Sequence, residues 1–224
     1  MRQHVLAVFP HPDDETLGKA GTVARYTKTG TPVTLICATL GQMGRNMGKP
    51  FFANRETLPG IRERELRDAC DILGIHDLRL LGLRDKTLEF EDPELLADRV
   101  WQVMREIEPS IVLTYYPAHG VHPDHDALSA AAVRAVRRLP SAERPVVYGS
   151  AVTRDAAQVL GPPDVVNDVT DVLDIKLAAM RAHRSQTESM MEQIEEQRHG
   201  DRTTRDQLGS LLLTEKFWIV PVSG

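Results

Sequence analysis

Two short clusters of histidine and aspartate residues stand far apart in the sequence. The first, HPDDE, occupies residues 11–15, and the second, HPDHD, occupies residues 122–126. Neutral imidazole nitrogen and carboxylate oxygen are ligands that suit zinc and similar first-row metals. A catalytic zinc site takes three protein ligands and leaves one position for water. The two clusters therefore predict a metal site whose ligands come from separate parts of the chain.

Each cluster directly follows an apolar segment with the composition of a β-strand. HVLAVF, residues 4–9, precedes the first cluster, and SIVLTYYP, residues 110–117, precedes the second. In open parallel sheets, ligands bind in the crevice beyond the carboxyl ends of the strands. Buried acids there would be unfavourable without a compensating positive charge, for which a divalent cation is the simplest source. We expect the folded sheet to bring the two clusters together.

The rest of the sequence alternates strand-like and helix-like segments, which is typical of βαβ units and a parallel sheet. Strands are predicted at residues 4–9, 32–40, 77–83, 110–117 and 145–152, and helices at residues 15–29, 62–73, 93–107, 126–138 and 172 to about 199. Residues 41–60 have no period of their own and are predicted to form a functional or mobile loop. The segment EKFWIV, residues 215–220, is either a last edge strand or an interface segment. Because no linker divides the chain, we expect one α/β domain spanning residues 1–224.

The composition argues against several classes of partner. The chain has 224 residues, of which 42% are hydrophobic and 26% charged, and a net charge of −5, so a nucleic-acid partner is disfavoured. No apolar segment approaches the roughly 20 residues needed to cross a bilayer, and the first residues lack the apolar stretch of a signal peptide. We expect no membrane association and a cytoplasmic location. The two cysteines, Cys37 and Cys70, are too few for a disulfide scaffold and are predicted to be buried.

The two clusters also carry a family resemblance. HPDDE after the first strand, with HPDH at residues 122–125, resembles the PIG-L and LmbE-like N-acetylglucosaminyl deacetylases. The segments IRERELRDA and HRSQ, at residues 61–69 and 183–186, also fit this family, so the resemblance covers nearly the whole chain. It implies a Rossmann-like three-layer sandwich with a mostly parallel sheet. The loop at residues 41–60 is most similar to that of bacillithiol-biosynthesis deacetylases, which act on N-acetylglucosaminyl malate.

The resemblance implies a set of ligands and a base. His11, Asp14 and His125 match the metal ligands, and Asp13 matches the general base. The metal is implied to be Zn2+, although another first-row divalent metal would suit these ligands. Consecutive side chains of an extended turn point in different directions, so Asp14 can hold the metal while Asp13 faces the attacking water.

The resemblance also implies roles for residues around the ligands. His122 matches the residue that stabilises the oxyanion or protonates the leaving amine, Asp124 is placed to orient its imidazole, and Arg62 matches a substrate-contacting arginine, with Arg64 as the alternative register. The implied reaction is direct hydrolysis of the acetamide of an N-acetylated sugar conjugate, releasing acetate and a free amine. Whether Asp13 or His122 protonates that amine is left open.

The apolar tail and the long loop favour a homo-oligomer.

Structural roles compete with chemical ones at several of these positions. The aspartates of HPDD could cap the following helix, but a second cluster at another strand end favours the metal site. Glu15 is assigned a structural role at the start of that helix. Surface positions are predicted for His4, His76, His119 and His199, and a role in fixing the C-terminal helix for His183, Ser185 and Gln186. The loop pairs Arg45 with Asn46 and Arg55 with Glu56 either bind malate carboxylates or are solvated charges.

Two other functions fit the same clusters. A metal-dependent phosphoesterase or nuclease would use the acidic residues to hold two hard cations, whereas two histidines among three ligands favour a single zinc ion. A non-catalytic metal- or sugar-binding protein on an α/β scaffold is the second alternative, because fold alone does not determine function.

Overall fold

A seven-stranded β-sheet forms the centre of the protein. The computed structural model describes residues 3–198, 209 and 212–223. The strands are β1 (Val5–Phe9), β2 (Val33–Thr39), β3 (Asp77–Leu83), β4 (Ile111–Tyr115), β5 (Val146–Ser150), β6 (Val165–Asp168) and β7 (Thr214–Ile219). Their order across the sheet is β3-β2-β1-β4-β5-β7-β6. Strands β1 to β5 pair in parallel, and β7 is antiparallel to both β5 and β6. The sheet is therefore mostly parallel, as predicted.

Helices cover both faces of this sheet. They are α1 (Ala20–Lys28), α2 (Leu58–Leu73), α3 (Pro93–Ile107), α4 (Pro123–Arg137), α5 (Ala156–Leu160), α6 (Leu173–Ala182) and α7 (Arg184–Arg198). Alternate residues of β1 belong to different core clusters: Val5, Ala7 and Phe9 pack with α1, α2 and α6. Leu6 and Val8 pack with α3 and α4. All five are fully buried, which is typical of a central parallel strand. The predicted three-layer sandwich is confirmed.

The helices next to the two motifs begin at different residues from those predicted. The first helix was expected from Glu15 but begins at Ala20, because the preceding residues form turns in which the backbone φ of Asp13 is positive. The helix expected from Asp126 begins at Pro123, since proline is favoured in the first turn and His122 caps it. The second HPDHD cluster therefore lies on the first turn of α4.

Three other predictions from the sequence need correction. The single long helix expected from residue 172 is two helices, α6 and α7, which meet at His183; its end at about residue 199 lies outside the described residues. The segment EKFWIV forms β7 inside the sheet rather than an edge strand, because β6 pairs with its outer side. Strand β6 and helix α5 had no strong pattern and were not predicted. Helix α2 begins at Leu58, within the expected loop.

The remaining structural expectations concern cysteines and membrane spans. Cys37 and Cys70 are buried free thiols, as predicted. Across the part of the chain that the structure describes, no helix combines the length and the apolarity required to cross a membrane.

The packing of α1 against the end of the sheet predicts unequal effects of two glycine-to-alanine changes. A β-carbon on Gly21 would lie 2.5 Å from Cβ of buried Val169, so Gly21→Ala should lower the free energy of unfolding by about 1–3 kcal/mol. Gly60 of α2 has only Arg64 Nη1 near it, at 3.9 Å, and Gly60→Ala should raise stability by about 0.5–1 kcal/mol. Urea denaturation measures both changes. Equal destabilisation of the two variants would contradict this packing.

Candidate active site

The HPDDE motif forms a tight turn where β1 ends. The His11 N–H donates to Asp14 Oδ2 at 2.9 Å, and the Asp14 N–H donates to the His11 carbonyl oxygen at 3.3 Å. Between them, Asp13 has a backbone φ of 108°, in a region that side-chain-bearing residues rarely adopt. The turn thereby presents His11, Asp13 and Asp14 at the carboxyl end of the central strand.

His11, Asp14 and His125 come together at the adjacent ends of β1 and β4. The His11 Nδ1 atom lies 3.2 Å from His125 Nε2 and 3.3 Å from Asp14 Oδ2, and His125 Nε2 lies 3.3 Å from Asp14 Oδ1. Ligands about 2.0–2.2 Å from a tetrahedral zinc ion are separated from one another by about 3.4 Å. The three side chains therefore form a group that could hold a metal ion.

Hydrogen bonds on the far side of each imidazole determine which nitrogen faces this group. The His11 Nε2 atom lies 3.1 Å from both Asp124 Oδ2 and Asp85 Oδ1, and His125 Nδ1 lies 2.7 Å from the Gly120 carbonyl oxygen. Ionised carboxylates and carbonyls only accept hydrogen bonds, so these nitrogens carry the hydrogens. The lone pairs of His11 Nδ1 and His125 Nε2 are left for a cation, which is the usual arrangement of histidine ligands.

The electrostatics of the group favour positive charge. Burial lowers the pKa of His11, but hydrogen bonds to Asp124, Asp14 and Asp85 outweigh burial and raise that pKa well above its ordinary value. Burial would raise the pKa of Asp14, but His125 and His11 hold it well below its usual range. The carboxylates thus stabilise either a protonated histidine or a bound cation at this position.

Asp13 lies beside the ligand group and is paired with a different cation. Its Oδ2 atom is 3.2 Å from Arg62 Nη2, and its side chain keeps 17% exposure. Burial raises the pKa of Asp13 to about 6, against the opposing charge of Arg62. Arg62 itself is buried and donates to the carbonyl oxygens of Gly41, at 3.0 Å, and Pro12. The guanidinium expected to contact substrate therefore contacts the candidate base.

His122 adjoins the ligand group as the N-cap of α4. Its ring centroid is 5.0 Å from that of His11 and 5.3 Å from that of His125. The His122 Nδ1 atom accepts the Asp124 N–H at 3.1 Å, so the neutral ring carries its hydrogen on Nε2. Burial and the charges of His11 and His125 lower the pKa of His122, which favours that neutral form.

The backbone and the side chain of Asp124 contact different histidines. Its carboxylate accepts hydrogen bonds from His11 Nε2 at 3.1 Å, Lys86 N at 2.7 Å and Leu88 N at 3.1 Å. Because helix α4 begins at Pro123, this side chain is directed to the histidine of the other motif. Asp124 therefore orients the His122 ring through its backbone N–H and the candidate ligand His11 through its carboxylate.

Sequence reasoning missed three residues around the ligands. The Tyr115 hydroxyl donates to Asp14 Oδ1 at 2.5 Å, and its ring stacks on His125 with centroids 4.0 Å apart. The fully buried Lys19 ammonium lies 4.1 Å from the centroid of Tyr115, and burial lowers the pKa of Lys19 to about 8. Tyr115 lies near the end of the strand predicted at residues 110–117 and could have been suspected from that position. Lys19 and Asp85 carry no motif that would have revealed them.

The other polar residues singled out in the sequence either lie away from the ligand group or bond residues next to it. His76 is exposed, the His119 ring bonds Thr153 Oγ1 at 2.7 Å, and His4 bonds Thr34. His199 lies outside the described residues. Exposed loop positions hold Arg45, Asn46, Arg55 and Glu56, and Asn46 bonds Gln186 of α7. His183 and Ser185 are buried and bond Glu15 and Glu65, respectively.

Comparisons with known proteins identify the relatives of this chain. The family model for PIG-L, described as "GlcNAc-PI de-N-acetylase", matches residues 6–136. A Bacillus cereus protein named "Probable N-acetyl-alpha-D-glucosaminyl L-malate deacetylase 2" is 53% identical over 219 residues, covering 97% of this chain and 98% of that protein. Two solved structures share the fold. N,N'-diacetylchitobiose deacetylase from Pyrococcus horikoshii has a TM-score of 0.73 at 24% identity, covering 98% of this chain and 84% of that one. The 4-carboxy-2-hydroxymuconate hydratase GalB from Pseudomonas putida has a TM-score of 0.75 at 20% identity. The likeness covers 98% of this chain and 96% of that one.

The fold and the site together define an α/β protein with a His/Asp group at its strand ends that could hold a metal ion. The chain belongs to the PIG-L family of de-N-acetylases. The prediction of a deacetylase from the HPDDE and HPDH motifs is thereby confirmed. The two structural likenesses show the fold alone, because a hydratase and a deacetylase share it.

The hydrogen bond from Tyr115 to Asp14 predicts that Tyr115→Phe weakens metal binding. Burial and the Asp14 charge raise the pKa of Tyr115, so the hydroxyl remains a donor. Loss of such a partner typically lowers metal affinity about 10- to 100-fold. Competition with a chromogenic chelator measures the change in zinc affinity. Tyr116→Phe is the matched control, because the ring of Tyr116 contacts His119 instead of a candidate ligand. Equal losses in the two variants would contradict this role.

Proposed function

We propose that this protein hydrolyses the acetamide of N-acetylglucosaminyl malate, a step of bacillithiol biosynthesis, and releases acetate and a free amine. The observation that carries the proposal is the group of His11, Asp14 and His125 beside Asp13: the two imidazole nitrogens lie 3.2 Å apart, and each lies 3.3 Å from one of the two oxygens of Asp14. Support for the sugar conjugate comes from the Bacillus cereus relative, whose name specifies that substrate and which matches this chain almost from end to end.

We further propose that the cation is Zn2+. Two imidazole nitrogens and a carboxylate form a ligand set that favours zinc over magnesium or calcium. The chemistry that such a cation supplies is Lewis acidity toward water and toward the acetamide carbonyl. His11, Asp14 and His125 would hold it, with Asp85, Asp124 and Tyr115 fixing the orientation of those ligands.

Asp13 is the proposed general base. It is not part of the three-residue ligand group, and its partly exposed carboxylate stays accessible to water. The Arg62 charge opposes the effect of burial and favours the ionised form that can accept a proton. Once it has taken the proton of the attacking water, Asp13 can deliver that proton to the departing amine.

His122 is proposed to stabilise the oxyanion as a neutral donor. Its Nδ1 atom is occupied by the Asp124 N–H, and its lowered pKa keeps the ring uncharged with a hydrogen on Nε2. A neutral imidazole has no surplus proton to give, so this arrangement favours Asp13 over His122 as the source of the proton for the amine. Removing one oxyanion donor typically lowers kcat about 100- to 1,000-fold.

A further proposal concerns the state of the whole chain. One sheet runs through the described residues, which supports a single domain over residues 1–224. Large apolar side chains are exposed at Phe51, Phe90 and Val121, with 85%, 79% and 71% of their surfaces accessible, and these favour assembly into a homo-oligomer. Light scattering after size-exclusion chromatography measures the oligomeric state, and a monomer at all concentrations would exclude assembly.

The substrate is tested with a panel of acetylated compounds. Zinc-loaded protein is incubated with N-acetylglucosaminyl malate, free N-acetylglucosamine and a phosphate ester, and liberated amine, acetate and phosphate are measured. We expect amine and acetate in equal amounts, with N-acetylglucosaminyl malate giving the highest kcat/KM. Phosphate release without acetate, together with two magnesium ions bound per chain, would instead support the phosphoesterase alternative.

Separate roles for base and ligand predict opposite behaviour of two variants. Asp13→Ala should keep one zinc ion per chain and lose nearly all hydrolysis, because the base is not a ligand. His125→Ala should lose zinc affinity, since it removes one of three ligands. Metal content after dialysis, measured by atomic emission, distinguishes the two. An active Asp13→Ala variant, or unchanged zinc content in His125→Ala, would remove that residue from its role.

A further inference from the structure

The backbone of Asp13 is held in an unfavourable conformation at the centre of the site. Its φ of 108° lies in the region that favours glycine, yet this position carries an aspartate. Such conformations persist only where surrounding contacts impose them. One such contact comes from Glu15, two residues further along the chain. The Asp13 N–H donates to Glu15 Oε2 at 3.1 Å.

The other oxygen of Glu15 is bound by a histidine from the far end of the chain. His183 Nε2 donates to Glu15 Oε1 at 2.5 Å, and the exposed fractions of the two residues are 0% and 1%. Burial lowers the pKa of His183, but the adjacent charge of Glu15 outweighs burial and raises that pKa above its ordinary value. One carboxylate thus joins a buried imidazole to the backbone of the candidate base.

Hydrogen bonds made by the residues that follow His183 hold its backbone in place. It stands at the break between α6 and α7, where its carbonyl oxygen accepts the N–H groups of Gln186 and Thr187, each at 2.9 Å. The next turn is tied to α2, because Glu65 accepts from the Ser185 N–H at 2.7 Å and from its hydroxyl at 2.6 Å. His183 is therefore a rigid point from which Glu15 can be held.

Packing alone does not require a polar pair at this junction. Burying an ion pair is costly, and well-packed apolar residues often give equal or greater stability at such positions. An apolar pair would join α6 and α7 to the turn after β1, but it would offer no acceptor to the Asp13 N–H. The polar pair differs from an apolar one because Glu15 also accepts a hydrogen bond from the backbone N–H of Asp13, the residue proposed as the base.

We propose that Glu15 and His183 are positioning residues that hold the Asp13 backbone in its positive-φ conformation. This assignment rests on the proposed function of Asp13 as the base. The conformation separates the carboxylate of Asp13 from that of Asp14, so that one can accept a proton while its neighbour binds the cation. If the turn relaxed, Asp14 could still bind, but Asp13 would leave its place beside the attacking water. Displacements of about 1 Å can lower kcat about 100-fold.

Three variants test the role in the zinc-loaded enzyme. His183→Leu removes the donor and should lower kcat about 10- to 100-fold, with KM within about twofold and one zinc ion retained. His183→Gln should restore most of the activity, because its amide nitrogen occupies the place of Nε2. Ser185→Ala removes the hydroxyl bond to Glu65 but keeps the Ser185 N–H bond that ties this turn to α2, and it does not touch Glu15; it should lower the midpoint of urea unfolding while kcat stays within about twofold. Equal losses of kcat in Ser185→Ala and His183→Leu would overturn the proposal.

A second measurement is independent of catalysis. In the metal-free protein, hydrogen exchange of the Asp13 amide followed by NMR should be faster in His183→Leu than in the parent and in Ser185→Ala. If the parent releases no acetate, the proposed function fails while amide exchange still tests the positioning. Parent-like kcat and Asp13 exchange in an otherwise folded His183→Leu would overturn the inference. Should that variant not fold, His183→Asn gives the same comparison, because its shorter amide matches Nδ1 and does not reach Glu15.

Discussion

Four carboxylates, those of Asp14, Glu15, Asp85 and Asp124, are buried together where β1 and β4 end, and each must be stabilised without bulk water. Unpaired charge in a protein interior is strongly unfavourable, so hydrogen-bond donors or cations have to surround every one of them. Backbone N–H groups, two histidines and a tyrosine meet most of that demand. These donors do not neutralise all of the negative charge, and a position beside His11 remains where positive charge is favoured. Buried acid at the strand ends thus favours a bound cation at this position.

This constraint also explains why neighbouring acids have different environments. Asp14 is held by His11 and His125 and has a low pKa, whereas Asp13, one residue away, has a pKa raised to about 6. The difference depends on the turn, because the positive φ of Asp13 directs its side chain toward Arg62 instead of the histidines. Two adjacent aspartates can therefore divide ligation and proton transfer between them, provided that the backbone conformation is maintained.

The sequence revealed the ends of the strands better than the contacts between distant segments. The family resemblance selects His11, Asp14 and His125 among the residues of the two motifs. HPDDE and HPDHD follow apolar strands, and adjacent parallel strands bring such ends together, so the meeting of the two clusters could be predicted. The partner of Asp124 could not, because it depends on a helix that begins three residues earlier than its periodicity indicates. The break at His183 was missed as well, since AHRSQ contains neither glycine nor proline. At the break, the His183 ring bonds Glu15, which is 168 residues away.

A hydratase and a deacetylase share this fold, so the sheet alone does not determine the reaction. The family model ends at residue 136 and already includes the three candidate ligands and Asp13. His183 lies beyond that boundary. It is nevertheless linked to the candidate base by two hydrogen bonds, because Glu15 bonds both the His183 ring and the Asp13 N–H. The N-terminal strands thus bring the candidate ligands and Asp13 together, and the proposed role of His183 adds the junction of α6 and α7, which would restrict the Asp13 backbone. Under the proposed function, the geometry of the candidate site therefore depends on both halves of the molecule.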